Sequence, residues 1–451
     1  MAKIPQFVCQ ECGALHTKWS GRCDKCGQWN SLIENTQLSE KELTAQGRSL
    51  TTTPVNKVST RDSLQKRIIT GLKEIDTVFG GGLVPDSVTL LAGQPGIGKS
   101  TLLMQIAGEC AKKQKVLYVS GEESVSQVHE RASRLGVASS SNLMLASSTS
   151  ADDIAHTIAD GEYGVVIVDS IQTISLGSVA SNAGSISQVT NCASLLTQIA
   201  KRHHSALILV GHVTKEGSIA GPKVLEHLVD VVLHLEGDVY GGFKILRAAK
   251  NRYGSTQETA ILEMAEDGLR AVLNPSKALL AERQVTDGSV VLATIEGSRP
   301  LLVEVQALIN RSNFGYPKRT ASGFDMNRLT LLVAVLERRT SLSLSDMDIY
   351  INIVGGMRLN DPAADLAVCM AIASSARQMK LPESYVVAGE VGLSGEIRRV
   401  PFIESRCREA AKAGFKTLIG PNYGSKYTHL APTKNLRDAL NTYLKSTKKE
   451  I

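Results

Sequence analysis

No run of eighteen or more apolar residues occurs in this 451-residue chain, which excludes a membrane-spanning helix of ordinary length. The opening MAKIPQFVCQ lacks an apolar core of signal-peptide length, so a cytoplasmic location without membrane partners is expected. Eight cysteines are too few for a disulfide scaffold at this size. Internal repeats and low-complexity tracts are absent. Hydrophobic residues make up 43% and charged residues 21%, values of an ordinary soluble protein, which exclude wholesale disorder, collagen and mucin-like stalks. Lysine and arginine number 50 against 44 acids, a net charge of +6. That excess permits an anionic partner without demanding one.

The chain divides where its composition changes. Residues 1–33 hold four of the eight cysteines. Residues 34–64 are poor in large apolar side chains and rich in Ser, Thr, Lys and Gln, the composition of a linker. From 65 to 272 short apolar runs at 87–92, 116–119, 165–169, 207–211 and 229–235 alternate with glycine-rich turns and helical stretches such as 100–113. This alternation predicts an α/β unit with a mostly parallel sheet. Residues 273–451 read as a second domain, α+β or α/β, with a hairpin at 290–295 and 301–307, helices at 326–338 and 362–379, and strands at 349–354, 386–390 and 417–420.

Cys9-x-x-Cys12 and Cys23-x-x-Cys26 are two knuckles separated by residues 13–22. A two-residue gap lets both thiolates of a pair face one metal, and four soft ligands favour structural Zn²⁺. Zinc would supply folding free energy to a segment too small for its own core. Lys18, Trp19, Arg22 and Lys25 lie in or beside the intervening loop and are placed to touch DNA or a protein partner.

Gly93-Gln94-Pro95-Gly96-Ile97-Gly98-Lys99-Ser100, followed by Thr101, fits the phosphate-binding loop pattern, between a strand and a helix as that pattern requires. Backbone N–H groups and the helix dipole favour phosphate there. Lys99 is expected to reach the β and γ phosphates of ATP, and Ser100 to ligate Mg²⁺. The strand 165–168 ends in Asp169, a second Mg²⁺ anchor. The strand 116–119 leads to Glu122 and Glu123, one of which is placed to orient an attacking water. His212 ends another strand, where a side chain could sense the γ-phosphate.

These residues resemble the core of the RecA-like ATPases, including the hexameric replicative helicases. The resemblance puts the catalytic glutamate on Glu122. Lys250-Asn251-Arg252-Tyr253-Gly254 is similar to the helicases' Lys-x-Arg finger and to the KNRFG motif of the bacterial RadA/Sms family, with Tyr253 in place of Phe. That family joins a four-cysteine zinc module, a RecA-like P-loop NTPase core and a Lon-protease-like α/β domain in the order found here. The resemblance implies a DNA-dependent ATPase that drives branch migration as a homohexameric ring on single-stranded and branched DNA, alongside a RecA-type recombinase. It implies that Lys250 and Arg252 act on a neighbour's ATP, with direct DNA contact as the competing role. Lys215 and Lys223, in a polar loop that faces the channel in RecA-like rings, are the expected DNA contacts.

The segment 349–365 resembles the active-site region of Lon protease. Ala363 stands where the nucleophilic serine is expected, and the stretch after Pro401 carries Glu404 and Arg406 near the place of the partner lysine. Alanine has no nucleophile and arginine stays protonated, so proteolysis is not expected. The domain is expected to serve assembly and DNA binding, with Arg311, Lys318, Arg319, Arg328, Arg338, Arg339 and Arg358 as basic surface.

Overall fold

The computed structural model describes residues 7–9, 12, 14–34, 54, 67–212, 224–237, 243–312, 316–424, 427 and 429–446. Two compact units divide between residues 65 and 66. The first contains a three-stranded antiparallel sheet in which β1 (Phe7–Cys9) lies between β2 (Leu15–His16) and β3 (Leu32–Glu34). Among the described residues its apolar core is Cys9, Cys23 and Leu32, with Phe7 and Ala14 against it.

The second unit holds two large sheets. In the first, the strands β4 (Val88–Gly93), β5 (Val116–Ser120), β6 (Leu143–Ser147), β7 (Val165–Asp169), β8 (Ala206–His212) and β9 (Val231–Gly237) run parallel in the order β9-β4-β8-β7-β5-β6. Three antiparallel strands extend it beyond β9: β10 (Phe243–Asn251), β11 (Thr259–Ala265) and β12 (Gly268–Ala271). The apolar runs are continuous because both faces are covered. Along β7, Val165 and Ile167 enter one core while Val166 and Val168 enter the other. The helices Lys99–Ala111 and Val125–Arg134 pack on the first face, and Ala151–Asp160 and Ile186–Arg202 on the second.

The second sheet is mixed. β13 (Ser289–Glu296) and β14 (Arg299–Arg311) form the expected hairpin, paired from Glu296↔Arg299 onward. β15 (Arg319–Ser322) and β16 (Met347–Ile353) lie beyond β14. The parallel strands Tyr385–Val387, Thr417–Gly420 and Leu430–Pro432 follow on the other side of β13. The helix Ala364–Arg377 is buried from Ala364 to Ser374. It starts after Pro362 and Ala363, because the Asp361 carboxylate accepts the Ala363 N–H and holds a turn there.

The two sheets share a core: Ile245 and Ile261 of the first are buried among residues of the second. Arg247 on β10 ties them, its Nη2 lying 3.3 Å from Glu236 on β9 and 3.0 Å from Glu296 on β13. Among the described residues no helix is long and apolar enough to cross a membrane.

Candidate functional site

The phosphate loop follows β4 and opens the helix Lys99–Ala111. Two of its glycines are required by geometry. A Cβ on Gly93 would lie 2.6 Å from the Leu235 carbonyl, and Gly98 has φ of 112° with the Met264 methyl 2.9 Å from its Cβ position, a backbone conformation that glycine adopts at little cost. Lys99 is buried, and its ammonium donates to the carbonyls of Gly93 (2.9 Å) and Gln94 (3.0 Å). Burial lowers the pKa of Lys99, while the charges of Asp169 and Glu122 work the other way.

The carboxyl ends of neighbouring parallel strands are where ligands bind in such sheets. β5, β7 and β8 bring their terminal groups here. Lys99 Nζ lies 3.3 Å from His212 Nδ1, and His212 Nε2 lies 3.4 Å from Glu122 Oε1. The Ser170 hydroxyl donates to the same Glu122 oxygen at 2.7 Å. Burial opposes ionisation of Glu122, but the Ser170 hydrogen bond, His212 and the Lys99 charge outweigh it and hold the carboxyl below its usual range. Asp169 accepts from the Tyr118 hydroxyl at 2.7 Å. Glu123 is engaged elsewhere, paired with Arg131 at 2.7 Å, which leaves Glu122 as the acid facing Lys99. Beside Thr101 a cavity of about 160 Å³ is lined by Arg131, Arg134, Leu135, Met264 and Gly268. Tyr118 and the Arg131, Arg134 and Met264 lining carry no local signal in the sequence; Ser170 follows Asp169 in the pattern of the core, but its bond to Glu122 is visible only in the fold.

Lys250 and Arg252 are not brought to this loop. β10 pairs Lys250 with Val232 on β9, and Val232 pairs with Leu90 on β4. The motif therefore lies toward the start of the strand that ends in Gly93. Lys250 Nζ donates to the carbonyls of Glu226 (2.6 Å) and Val229 (2.7 Å), and the Asn251 amide to those of Val78 and Phe79. Arg252 and Lys201 each pair at 3.0 Å with Asp230, which is 2% exposed. A carboxylate at the head of an apolar strand was the unread signal for this cluster. Lys215 and Lys223 lie outside the described residues.

In the first unit the four cysteine sulfurs lie within 4.8 Å of one another. Cys9 and Cys26 are 3.6 Å apart and Cys12 and Cys23 are 3.7 Å apart. A tetrahedron with Zn–S bonds of about 2.3 Å has edges of about 3.8 Å, whereas a disulfide needs about 2.05 Å. The spacing fits a zinc ion.

In the second sheet, Arg406 is 1% exposed. Its Nη1 donates to the Ala293 carbonyl at 2.6 Å and to Asp361 Oδ2 at 2.7 Å, and its Nε to the Pro401 carbonyl at 3.1 Å. Ala363 is buried two residues from Asp361. Part of the expected basic surface is used internally: Arg328 grips the buried Asp365, and Arg319 donates to the carbonyls of Met347 and Leu344.

Residues 55–218 match the AAA domain family, residues 7–34 the rubredoxin metal binding domain, and residues 332–423 the subunit ChlI of Mg-chelatase. The DNA repair protein RadA of Halalkalibacterium halodurans is 47% identical over 431 residues, covering 93% of each chain. That of Bacillus subtilis is 46% identical over 430 residues, again covering 93% of each. That of Escherichia coli is 43% identical over 461 residues, covering 98% of this chain and 99% of its own. Among solved structures, the RadB recombinase aligns with a TM-score of 0.36 at 21% identity, covering 46% of this chain and 99% of that one.

Proposed function

The chain belongs to the RadA family of DNA repair proteins, and from that premise we propose that it is a DNA-dependent ATP hydrolase. It works as a ring motor on single-stranded and branched DNA and promotes branch migration in recombinational repair. The observation that carries this reading is the meeting of Lys99, His212, Glu122 and Ser170 at the ends of adjacent parallel strands.

Lys99 would exchange its carbonyl partners for the β and γ phosphates of ATP. Ser100 and Asp169 would hold Mg²⁺, which when bound supplies positive charge to the phosphate oxygens. Glu122 is ionised and fixed by the Ser170 hydroxyl, so it accepts a hydrogen bond from the attacking water and orients it. The cavity beside Thr101 is the natural seat for the nucleoside.

Lys250 and Arg252 reach an ATP phosphate only if a second subunit brings one to them. Gly93 is three residues beyond Leu90 on β4, roughly 10 Å at about 3.3 Å per residue. A homohexamer with nucleotide at the seams meets that need, and an arginine there would stabilise transition-state charge. Direct contact of the pair with DNA phosphates is the second reading, favoured by the 56% exposure of the Arg252 side chain. Lys215 and Lys223 are assigned to DNA from the sequence. The Lon-like domain serves assembly without proteolysis, since Ala363 offers no nucleophile and Arg406 is locked to Asp361. A RecA-type recombinase is the protein partner, and the cytoplasm the location.

The test is ATP turnover with and without single-stranded DNA, together with strand displacement on a synthetic three-strand junction. The reading expects DNA-stimulated turnover and branch movement. Turnover by a lone protomer, unchanged by oligonucleotides, would overturn it.

A further inference from the structure

The chain contains two tryptophans, Trp19 and Trp29, and both lie on the zinc module with 60% and 70% of their surface exposed. Neither ring belongs to the module's apolar core, which among the described residues is Cys9, Cys23 and Leu32 with Phe7 and Ala14. Leaving two indoles in water on so small a unit forgoes the burial that a large aromatic ring ordinarily contributes to folding.

Their surroundings are cationic. Arg22 and Trp29 form a β-bridge, and the Asn30 N–H donates to the Gly21 carbonyl at 2.8 Å. This returns Trp29 to Arg22, three residues from Trp19. The Arg22 guanidinium lies 5.9 Å from the Trp29 ring centroid, within cation–π range, and its Nε donates to the Gly27 carbonyl at 2.7 Å. Lys18, Arg22 and Lys25 are exposed; Asp24 and the net negative charge of zinc on four thiolates offset them overall, so the three cations act locally beside the rings.

Exposed aromatic faces set among fixed cations are the means by which proteins hold single-stranded nucleic acid without reading its sequence: bases stack on the rings and phosphates meet the charges. We infer that the zinc module is a base-stacking platform for single-stranded DNA, with Trp19 and Trp29 as the stacking faces and Lys18, Arg22 and Lys25 as phosphate contacts. A partner protein would also use exposed tryptophan, but cations standing directly beside the rings, with Arg22 held over Trp29, suit a phosphate chain with its bases. The inference rests on the DNA-motor reading and names a DNA site on a compact unit other than the one that carries the phosphate loop.

The sequence supplies its own probe, because tryptophan emission from the intact protein reports on this module alone. Full-length protein is titrated with unlabelled oligo(dT) while emission is recorded, and binding is followed separately by the anisotropy of a labelled oligo(dT). Quenching that saturates with binding is expected. The double variant Trp19→Ala/Trp29→Ala is expected to bind oligo(dT) roughly ten-fold or more weakly, given the usual worth of aromatic stacking on bases, with zinc content and DNA-free ATP turnover unchanged. Trp29→Phe, which keeps an aromatic face, is expected to retain most of the affinity.

Emission that stays constant while anisotropy reports binding, with the double variant binding as tightly as the parent, would overturn the platform and leave the motor reading intact. Absence of any oligo(dT) binding by the parent would overturn both. Emission that responds to a RecA-type recombinase but not to DNA would assign the rings to a protein surface, and it too would overturn the inference.

Discussion

Arg406 Nη1 lies 2.7 Å from Asp361 Oδ2, with the arginine 1% and the aspartate 9% exposed. The same carboxylate oxygen accepts from the Thr294 hydroxyl and the Ile295 N–H, each at 3.0 Å, and the other oxygen from the Ala363 N–H. Two residues from Ala363, which stands where the Lon-like pattern calls for a serine, this chain holds a satisfied internal ion pair. Removing one partner of a buried pair costs about 3–5 kcal/mol, whereas removing both is far milder. Arg406→Met and Asp361→Asn should each lower the urea midpoint strongly, and the double variant should recover much of the loss.

Restoring a hydroxyl should not restore a protease. Ala363→Ser supplies an oxygen, but no base stands ready to take its proton, because a guanidinium stays protonated and this one is held by Asp361. Incubation of the variant with casein is expected to leave the substrate intact.

Glu122 makes an explicit pH prediction. Its carboxyl is held below the ordinary range against the effect of burial, with Ser170, His212 and Lys99 all favouring the ionised form. The ionised form is the one that orients water, so ATP turnover should persist to acid pH and fail only below the usual carboxylate range. His212→Ala removes a group that favours ionisation, so its acid limb should move to higher pH in a turnover profile. Glu122→Gln should lower turnover by roughly 10²–10⁴-fold while nucleotide binding survives.

Lys99→Ala should abolish turnover, since the phosphates lose their direct cation. Lys250→Ala should also be deficient, for want of a group supplied to a neighbour. Mixing the two inactive proteins tests the seam. A Lys250→Ala subunit keeps its phosphate loop and a Lys99→Ala subunit keeps its finger, so mixed rings should regain measurable ATP hydrolysis. If mixing restores nothing, Lys250 acts within its own chain, where it already holds the Glu226 and Val229 carbonyls.

Zinc removal should act locally. The cysteine module is a compact unit of its own, so Cys9→Ser or a chelator should release zinc and unfold that module. DNA-free ATP turnover should remain. Loss of nucleotide binding in Cys9→Ser would mean that the module is integral to the ATPase core.

Much of this was legible in the sequence, and the reasons differ by element. The strands β4, β5, β7 and β8 are apolar on both faces and end in Gly, Ser, Asp and His, so their runs and their chemistry coincide. The zinc ligands are fixed by local spacing. The strands β10, β11 and β12 were not read, because they are antiparallel additions at one edge with only partial burial. The anchoring of Lys250 depends on carbonyls more than twenty residues away, which no local pattern reveals. The stretch 386–390 was read as one strand, but pairing ends at Val387 and Glu390–Val391 belongs to a separate two-stranded sheet with Ile397–Arg398.

Arg247 grips one carboxylate on either side of the junction between the two sheets. β9, which carries Glu236, also lies against the root of the phosphate loop through the close approach of Leu235 to Gly93. Leu235 and Glu236 thus join the root of that loop to the carboxy-terminal scaffold, through this guanidinium and through the core that Ile245 and Ile261 share with the second sheet. Coupling across such a junction is reciprocal: a contact that held the scaffold and thereby changed the hold on nucleotide would itself be strengthened or weakened by nucleotide in the same proportion.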